Sequence, residues 1–219
     1  MSAPFPFYKP LGDSGLTVVI GEGVSRDLSD RVMRVARALE STRTNGVSEI
    51  VPSYASVGIH YDPLEVRFDE VVESVRHVIA DSLEGTDNHS RDSQLIRISV
   101  RYDGEDLSDV ANRTGHSETD VIRLHTEREY YVYVIGFVPG WAYLGDIDPS
   151  LVLPRRSVPR KKVPAGSVAI AETQTGVYPF ATPGGWHLIG RTETIMFDPH
   201  RDEPALLRVG DRVVFERVK

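Results

Sequence analysis

The chain reads GFVPGW at residues 136–141, PRRSVPR at 154–160, VPAGSV at 163–168, QTGVYP at 174–179 and PGGWHLIGRT at 183–192. Glycine permits positive φ and close backbone approach, whereas proline fixes φ. Because Val, Ile, Tyr and Trp stand between these residues, the pattern predicts short strands joined by rigid loops. Ordered loops of this kind commonly carry binding and catalytic groups, so we expect the functional site here.

Further short strands and two helices surround this segment. The helices are predicted at 106–114 and 118–125, and Ser117 is placed to cap the second, with Asp120 three residues later. Strands are predicted at 130–137, 167–171, 175–179, 187–192 and 212–217. Many short strands with regular turn signals are typical of a closed β-barrel or a sandwich.

The first ninety residues instead alternate strands and helices. Ser25 or Asp27 begins a helix whose apolar positions follow helical spacing, and a second helix is predicted at 64–83. Strands are predicted at 16–20, 47–52 and 54–61, with 95–100 as a further strand. This order is that of a split βαβ, ferredoxin-like unit. The polar stretch 84–93 separates the halves, so we expect an α+β protein with domains at 1–91 and 92–219.

Composition excludes several classes of function. The net charge of −7 and the pI near 5.5 argue against a nucleic-acid partner, which Lys and Arg would have to recognise. The chain has no cysteine, which excludes disulfides, thiolate metal sites and thiol catalysis. The seven histidines form no HExxH-like pattern, so no metal site is predicted. No run approaches the roughly 20 apolar residues of a membrane span, and we expect a cytoplasmic protein.

The motifs quoted above closely resemble those of the 5-oxoprolinase B-subunit family, also called the KipI or allophanate hydrolase subunit 1 family. The resemblance covers nearly the whole chain and implies that the barrel is cyclophilin-like, following the ferredoxin-like α/β sandwich domain. It implies a component of an ATP-dependent hydrolase that converts 5-oxo-L-proline to L-glutamate. The implied partners are a KipA-like protein (allophanate hydrolase subunit 2) and a LamB/YcsF-like protein. ATP would be shared with that complex.

Other functions stay open at this point. KipI members inhibit a sensor histidine kinase, so this chain is alternatively an interaction protein. A component of a urea- or allophanate-related amidohydrolase or carboxylase system is a further alternative. The fold alone would also fit a prolyl isomerase, which is a weak reason.

A cluster of five basic residues stands out in this acidic chain. The family motif includes Arg155 and Arg160, which we predict to bind a carboxylate or phosphate. Lys161 and Lys162 are assigned to the surface, and the alternative for the whole cluster is a solvated strand edge.

The PGGW and IGRT motifs suggest an anion cradle. In this hypothesis backbone N–H groups at Gly184 and Gly185 face the anion, Trp186 forms an apolar wall and Arg191 is the catalytic counter-charge. The alternative is a tight barrel corner whose tryptophan fills the core.

The remaining candidates are polar turn residues and aromatic loop residues. Neutral recognition of an amide or carboxylate is assigned to Gln174, Thr175 and Tyr178, although Thr175 alternatively stabilises its own turn. The predicted partner interface is an exposed aromatic loop that comprises Pro139, Gly140, Trp141 and Tyr143.

Several other polar residues are given structural roles. His125 is predicted to carry a positive charge favoured by a helix C-terminus, and three acids to form Asx turns, namely Asp146, Asp148 and Asp198. Ser167 lacks the GxSxG context of a nucleophile. With no self-sufficient catalytic set in view, we expect the isolated chain to be inactive.

Overall fold

The chain divides into two compact units, Met1–Arg91 and Asp92–Lys219. A computed structural model describes residues 5–84 and 93–219. Among these residues, no helix combines the length and the apolar character that crossing a membrane requires.

The first unit is a four-stranded antiparallel sheet with two helices. Its elements are β1 (Phe7–Pro10), β2 (Gly15–Val19), α1 (Arg26–Thr42), β3 (Val47–Pro52), β4 (Ser56–Tyr61) and α2 (Phe68–Glu84). The sheet order is β1-β2-β4-β3. Ser25, one of the two residues predicted as the cap, caps α1 by accepting a hydrogen bond from the Leu28 N–H at 3.2 Å. Apolar stripes of both helices cover the core strands β2 and β4.

Two details of this unit differ from the sequence prediction. The strand beside β2 is β1, which pairs with it from Phe7↔Val19 to Pro10↔Leu16, whereas residues 95–100 lie in the other unit. A short hairpin therefore fills the position that a ferredoxin-like fold gives to a strand after the second helix. The helix α2 begins at Phe68 and not at residue 64, because Asp62 and Glu70 side chains accept from backbone N–H groups in a turn that precedes it.

The described part of the second unit contains a seven-stranded sheet, two short α-helices, a 3-10 turn at Pro149–Leu151 and a two-stranded ribbon. The helices are α3 (Leu107–Thr114) and α4 (Glu118–Thr126), and Ser117 caps α4 as predicted. The sheet strands are β5 (Leu95–Val100), β6 (Glu129–Ile135), β7 (Ala142–Gly145), β9 (Ser167–Ala171), β10 (Gln174–Val177), β12 (His187–Arg191) and β13 (Arg212–Arg217). The ribbon pairs β8 (Arg160–Val163) with β11 (Thr182–Gly184).

The seven strands form a nearly closed barrel in the order β12-β9-β10-β7-β6-β13-β5. Alternate residues of the strands point to one apolar core, which the inner sides of α3 and α4 share. The expected fold class, an α/β sandwich unit followed by a cyclophilin-like barrel, is confirmed, with the correction that residues 95–100 pair in parallel with β13 as a barrel strand.

The two ends of this sheet meet along β12. The backbones of Arg101 and Arg191 exchange two hydrogen bonds of 2.9 and 2.8 Å, and the Asp106 N–H donates to the Leu188 carbonyl at 2.9 Å. Contact this close needs glycine at Gly190, where a Cβ atom would lie 2.6 Å from the Arg101 carbonyl oxygen. The segment after β5 therefore closes the barrel against β12.

The carboxylate of Asp106 fixes this closure and is buried. It accepts hydrogen bonds of 2.7 Å each from the Arg156 and Arg160 guanidinium groups and from the Leu188 N–H. Since a buried carboxylate is costly without partners, the three donors make this arrangement stable. The contacts attach residues 156–160 to the barrel wall.

We predict that Asp106→Asn lowers the free energy of unfolding by about 3 kcal/mol, because Arg156 and Arg160 lose their buried counter-charge and Arg160 keeps only its contact with the exposed Glu105. Both tryptophans, Trp141 and Trp186, lie in the second unit, so urea unfolding followed by tryptophan fluorescence reports on that unit. The control is Asp109→Asn on α3, where an exposed 3.6 Å ion pair with Arg113 should count for less than about 1 kcal/mol. Equal losses in the two variants would contradict the role given to Asp106.

Candidate functional site

The face of the sheet opposite the barrel core carries an aromatic cluster, which we define as Trp141, Tyr143, Tyr178 and Trp186. The Trp141 ring lies 4.6 Å from Tyr178, 5.1 Å from Trp186 and 5.8 Å from Tyr143 between centroids, with the rings edge to face. Such contacts add to the stabilisation from burial. Tyr143 belongs to strand β7, and its neighbours Ala142 and Leu144 point into the barrel core. The aromatic cluster therefore occupies the other face of the sheet.

Two glycines of the family motifs make room for this cluster. A Cβ atom at Gly176 would lie 2.9 Å from Cζ2 of Trp141, and one at Gly184 would overlap the Tyr178 hydroxyl. Neither position tolerates a side chain without displacing a ring. These glycines are therefore explained by packing around the aromatic rings.

The predicted partner interface is only partly exposed. Trp141 is 1% exposed and Gly140 is buried, so the prediction that Trp141 is an exposed anchor is wrong. Phe137, which packs edge to face on Trp141 and is 60% exposed, lies at the surface together with Pro139. The sequence prediction missed Phe137, since the aromatic residues of one motif look alike until their burial is known.

Polar groups border the aromatic cluster on its half-exposed side. Nε of Arg155 lies 3.6 Å from a carboxylate oxygen of Glu172. Gln174, two residues after Glu172, is the first residue of strand β10. Burial raises the pKa of Tyr143 and of Tyr178, while the positive charge of Arg155 opposes both shifts. Arg155 and the two phenols therefore share one electrostatic environment. A cation with neutral donors and acceptors suits recognition of a carboxylate or amide.

The basic cluster does not act as one group. Arg160 forms ion pairs with Glu105 at 2.6 Å and with Asp106 at 2.7 Å. Arg156 also forms an ion pair with Asp106, so the charges of both arginines are neutralised by carboxylates of the barrel wall. Lys161 and Lys162 are exposed. Of the predicted anion-binding pair Arg155 and Arg160, Arg155 has the more accessible guanidinium group.

The PGGW motif also lies in regular structure. Gly184 is opposite Arg160 in the β8–β11 ribbon, and the Gly185 carbonyl accepts a 2.8 Å hydrogen bond from the Arg156 N–H. Trp186 is buried in the aromatic cluster. This arrangement matches the alternative of a packed barrel corner, which the sequence left open.

Thr175 faces the barrel core and hydrogen-bonds to His125. The Thr175 hydroxyl donates to the Ala169 carbonyl at 3.0 Å, so it accepts from His125 Nε2 at 2.9 Å. Nδ1 of the same ring then accepts from the Tyr102 hydroxyl at 2.7 Å. A neutral imidazole satisfies this chain of bonds, whereas an imidazolium has no acceptor role at Nδ1. Desolvation lowers the pKa of His125 to about 3, so the prediction of a charged His125 is wrong.

Arg191 ends β12 with its side chain in solvent, 2.7 Å from Asp103. It lines a recess of about 690 Å³ together with Arg101, Thr192 and Thr194. Arg101 was not among the predicted site residues, because an arginine at the end of a strand gives no signal in a single sequence.

Two of the three acids that were predicted to form Asx turns make that contact. Asp148 and Asp198 accept hydrogen bonds from backbone N–H groups two residues later, at 3.0 Å in both cases, whereas Asp146 accepts from the Tyr133 hydroxyl at 3.4 Å. Among residues 5–84 and 93–219, no group of three or more His, Cys, Asp and Glu side chains is placed to hold a metal ion.

Comparison with known proteins gives consistent matches along the chain. The family described as "Carboxyltransferase domain, subdomain C and D" matches residues 6–207. The B subunit of 5-oxoprolinase from Bacillus subtilis (strain 168) is 38% identical over 95% of this chain and 91% of its own length. The protein of the same name from Escherichia coli O157:H7 is 39% identical over 94% and 93%.

A solved structure also resembles the whole fold. The crystal structure of TTHA0988 superposes with a TM-score of 0.82 at 38% identity and covers 94% of this chain. This chain covers 40% of the length of that longer protein.

We predict that His125 makes the second unit less stable in mild acid. Its pKa is about 3 in the folded chain and about 6.5 in an unfolded one, so the unfolded state binds the extra proton between these values. The contribution of the neutral His125 to the free energy of unfolding is fully present at pH values well above 6.5. It decreases as the pH falls, by about 2 kcal/mol between pH 7 and pH 5.

The measurement is urea unfolding at several pH values, followed by tryptophan fluorescence. His125→Gln should remove this part of the pH dependence, and the control His200→Gln, at an exposed position, should retain it. If His125→Gln shows the same dependence of stability on pH as the wild type, the histidine is not held neutral in the folded chain.

Proposed function

Because this chain belongs to the 5-oxoprolinase B-subunit family, we propose that it acts as the B subunit of an ATP-dependent 5-oxoprolinase that converts 5-oxo-L-proline to L-glutamate. Similarity along almost the full length of both this chain and its named relatives carries the proposal. The partners are a KipA-like protein and a LamB/YcsF-like protein. An unstrained lactam is a poor electrophile, and ATP supplies the activation of its amide oxygen that lets water attack.

The distribution of reactive groups supports a shared active site. Ser167 is buried, His125 is neutral inside the barrel core, and Asp106 is held by two arginines. These groups are committed to the fold, while Arg155 and Arg191 are accessible. This chain then contributes binding and electrostatic groups, and the chemistry is completed by the partner proteins.

The half-exposed side of the aromatic cluster is the surface we assign to the KipA-like partner. Phe137 and Pro139 extend from the buried Trp141, and Tyr143 and Arg155 lie beside it. Aromatic residues with an adjacent arginine are frequent at the centres of protein interfaces. The buried rings hold the exposed ones in place, which reduces the entropy lost on binding.

We predict that the purified chain alone does not convert 5-oxoproline, and that adding it to the KipA-like and LamB/YcsF-like partners gives ATP-dependent formation of glutamate. The measurement is glutamate production with each of the three proteins omitted in turn. Turnover by the isolated chain would contradict the shared site. Full turnover by the two partners without this chain would contradict its assignment to the oxoprolinase complex.

We also predict that Arg191→Lys lowers turnover of the assembled complex about 10-fold, or ~1.4 kcal/mol, because Lys lacks the bidentate fork that stabilises charge developing on the activated amide. Arg97→Lys is a closely matched control. Both arginines have side chains that are 61% exposed, and their ion pairs measure 2.7 Å for Arg191 and 2.6 Å for Arg97. Equal turnover in the two variants, or loss of assembly with Arg191→Lys, would remove Arg191 from the site.

A further inference from the structure

Arg101 and Arg191 are placed directly opposite each other where the barrel closes. They form an antiparallel bridge, and each backbone N–H donates to the other residue's carbonyl. Residues paired in this way project their side chains on the same face of the sheet, a few ångströms apart. Like charges in such a pair repel each other, so the arrangement is unfavourable unless an anion compensates both.

The acidic residues nearby compensate only one of the two charges closely. Asp103 contacts Arg191 through a single guanidinium nitrogen, Nη2, at 2.7 Å. Glu193 lies 4.0 Å from Nη2 of Arg101, and its side chain is 98% exposed. Within residues 5–84 and 93–219, no other carboxylate forms an ion pair with either arginine. A contact of that length with a solvated carboxylate contributes little.

The space in front of the two arginines is bordered by hydroxyl groups. Besides the two arginines, the recess of about 690 Å³ is lined by Ser99, Thr192, Thr194, Val218 and Glu193, whose side chain is 98% exposed. Ser99 is two residues before Arg101, so alternation along the chain places both on the same side. Thr192 is held by its contact with Thr194, at 3.0 Å between the hydroxyl oxygens. The Thr192 hydroxyl donates to Thr194, so the hydroxyl groups left to donate to a ligand are those of Ser99 and Thr194. Two guanidinium groups with these two hydroxyl donors match a tetrahedral oxyanion.

We propose that this recess binds a phosphate group through Arg101 and Arg191 together. A phosphate carries roughly 1.5 to 2 negative charges at neutral pH and offers several acceptor oxygens, so one group satisfies both arginines and relieves their repulsion. Gly190 is required because any side chain there would separate the two backbones that hold the pair. The link to catalysis, in which the phosphate comes from ATP, rests on the function proposed above.

The test is calorimetric titration of the isolated full-length chain at low ionic strength with inorganic phosphate, with ATP, and with glutamate. We expect phosphate binding that Arg101→Gln weakens about 10-fold or more, since charged hydrogen bonds to the ligand are lost. Arg97→Gln, an exposed arginine of the same strand β5, should bind as wild type does. Arg101→Lys, which keeps the charge and loses the fork, should bind with intermediate affinity.

The remaining outcomes decide the source of the phosphate and the validity of the site. Tighter binding of ATP than of inorganic phosphate, lost in Arg101→Gln, identifies a nucleotide phosphate, whereas equal affinities identify free phosphate as the ligand. No binding of either, equal weakening in Arg101→Gln and Arg97→Gln, or tighter binding of glutamate would overturn the proposal. The titration uses no partner protein and measures no turnover. A failure of the phosphate site would therefore leave the proposed oxoprolinase function intact, and a failure of that function would leave the phosphate site intact.

Discussion

Closure of the barrel against β12 is the constraint on which the second unit depends. The segment from Arg101 to Asp106 supplies the backbone partners on one edge of that strand, and the buried Asp106 carboxylate adds a side-chain connection through the Leu188 N–H. A sheet that ends without a partner leaves unpaired backbone groups, so closure removes a large cost. The carboxylate in turn requires two arginines, because one buried charge is unstable alone.

This closure also places both candidate sites. Arg156 and Arg160 are held at Asp106, which fixes the course of the chain from residue 154 to 160 and leaves Arg155 beside Tyr143. At β12, Trp186 precedes the strand within the aromatic cluster and Arg191 ends it at the Arg101 recess. One structural connection therefore determines the positions of an exposed aromatic surface and of a paired cationic recess.

The contrast between the two sites fits a protein that works in a complex. The aromatic cluster joins exposed rings to a buried tryptophan and so offers a rigid surface for a protein partner. The recess offers two guanidinium groups and hydroxyl donors, with the exposed Glu193 carboxylate at its border. In the proposed function, catalysis depends on groups that the partner proteins bring, and the proposed binding of the anion is the contribution of this chain.

The order of most elements, the cap at Ser117, the choice of Ser25 or Asp27 for the first helix, and the family could all be predicted from the sequence. These follow from local rules, namely the spacing of apolar residues, side-chain caps and the placement of Gly and Pro. The sequence did not determine that residues 95–100 join the barrel, that Trp141 is buried, that His125 is neutral, or that Arg160 is held at Asp106. Each of these depends on residues far apart in the chain, such as Asp106 with Arg160 or His125 with Thr175. Which of several similar side chains contacts a partner and which contacts water depends on how the chain folds, because burial and the charge of its neighbours set the role of each.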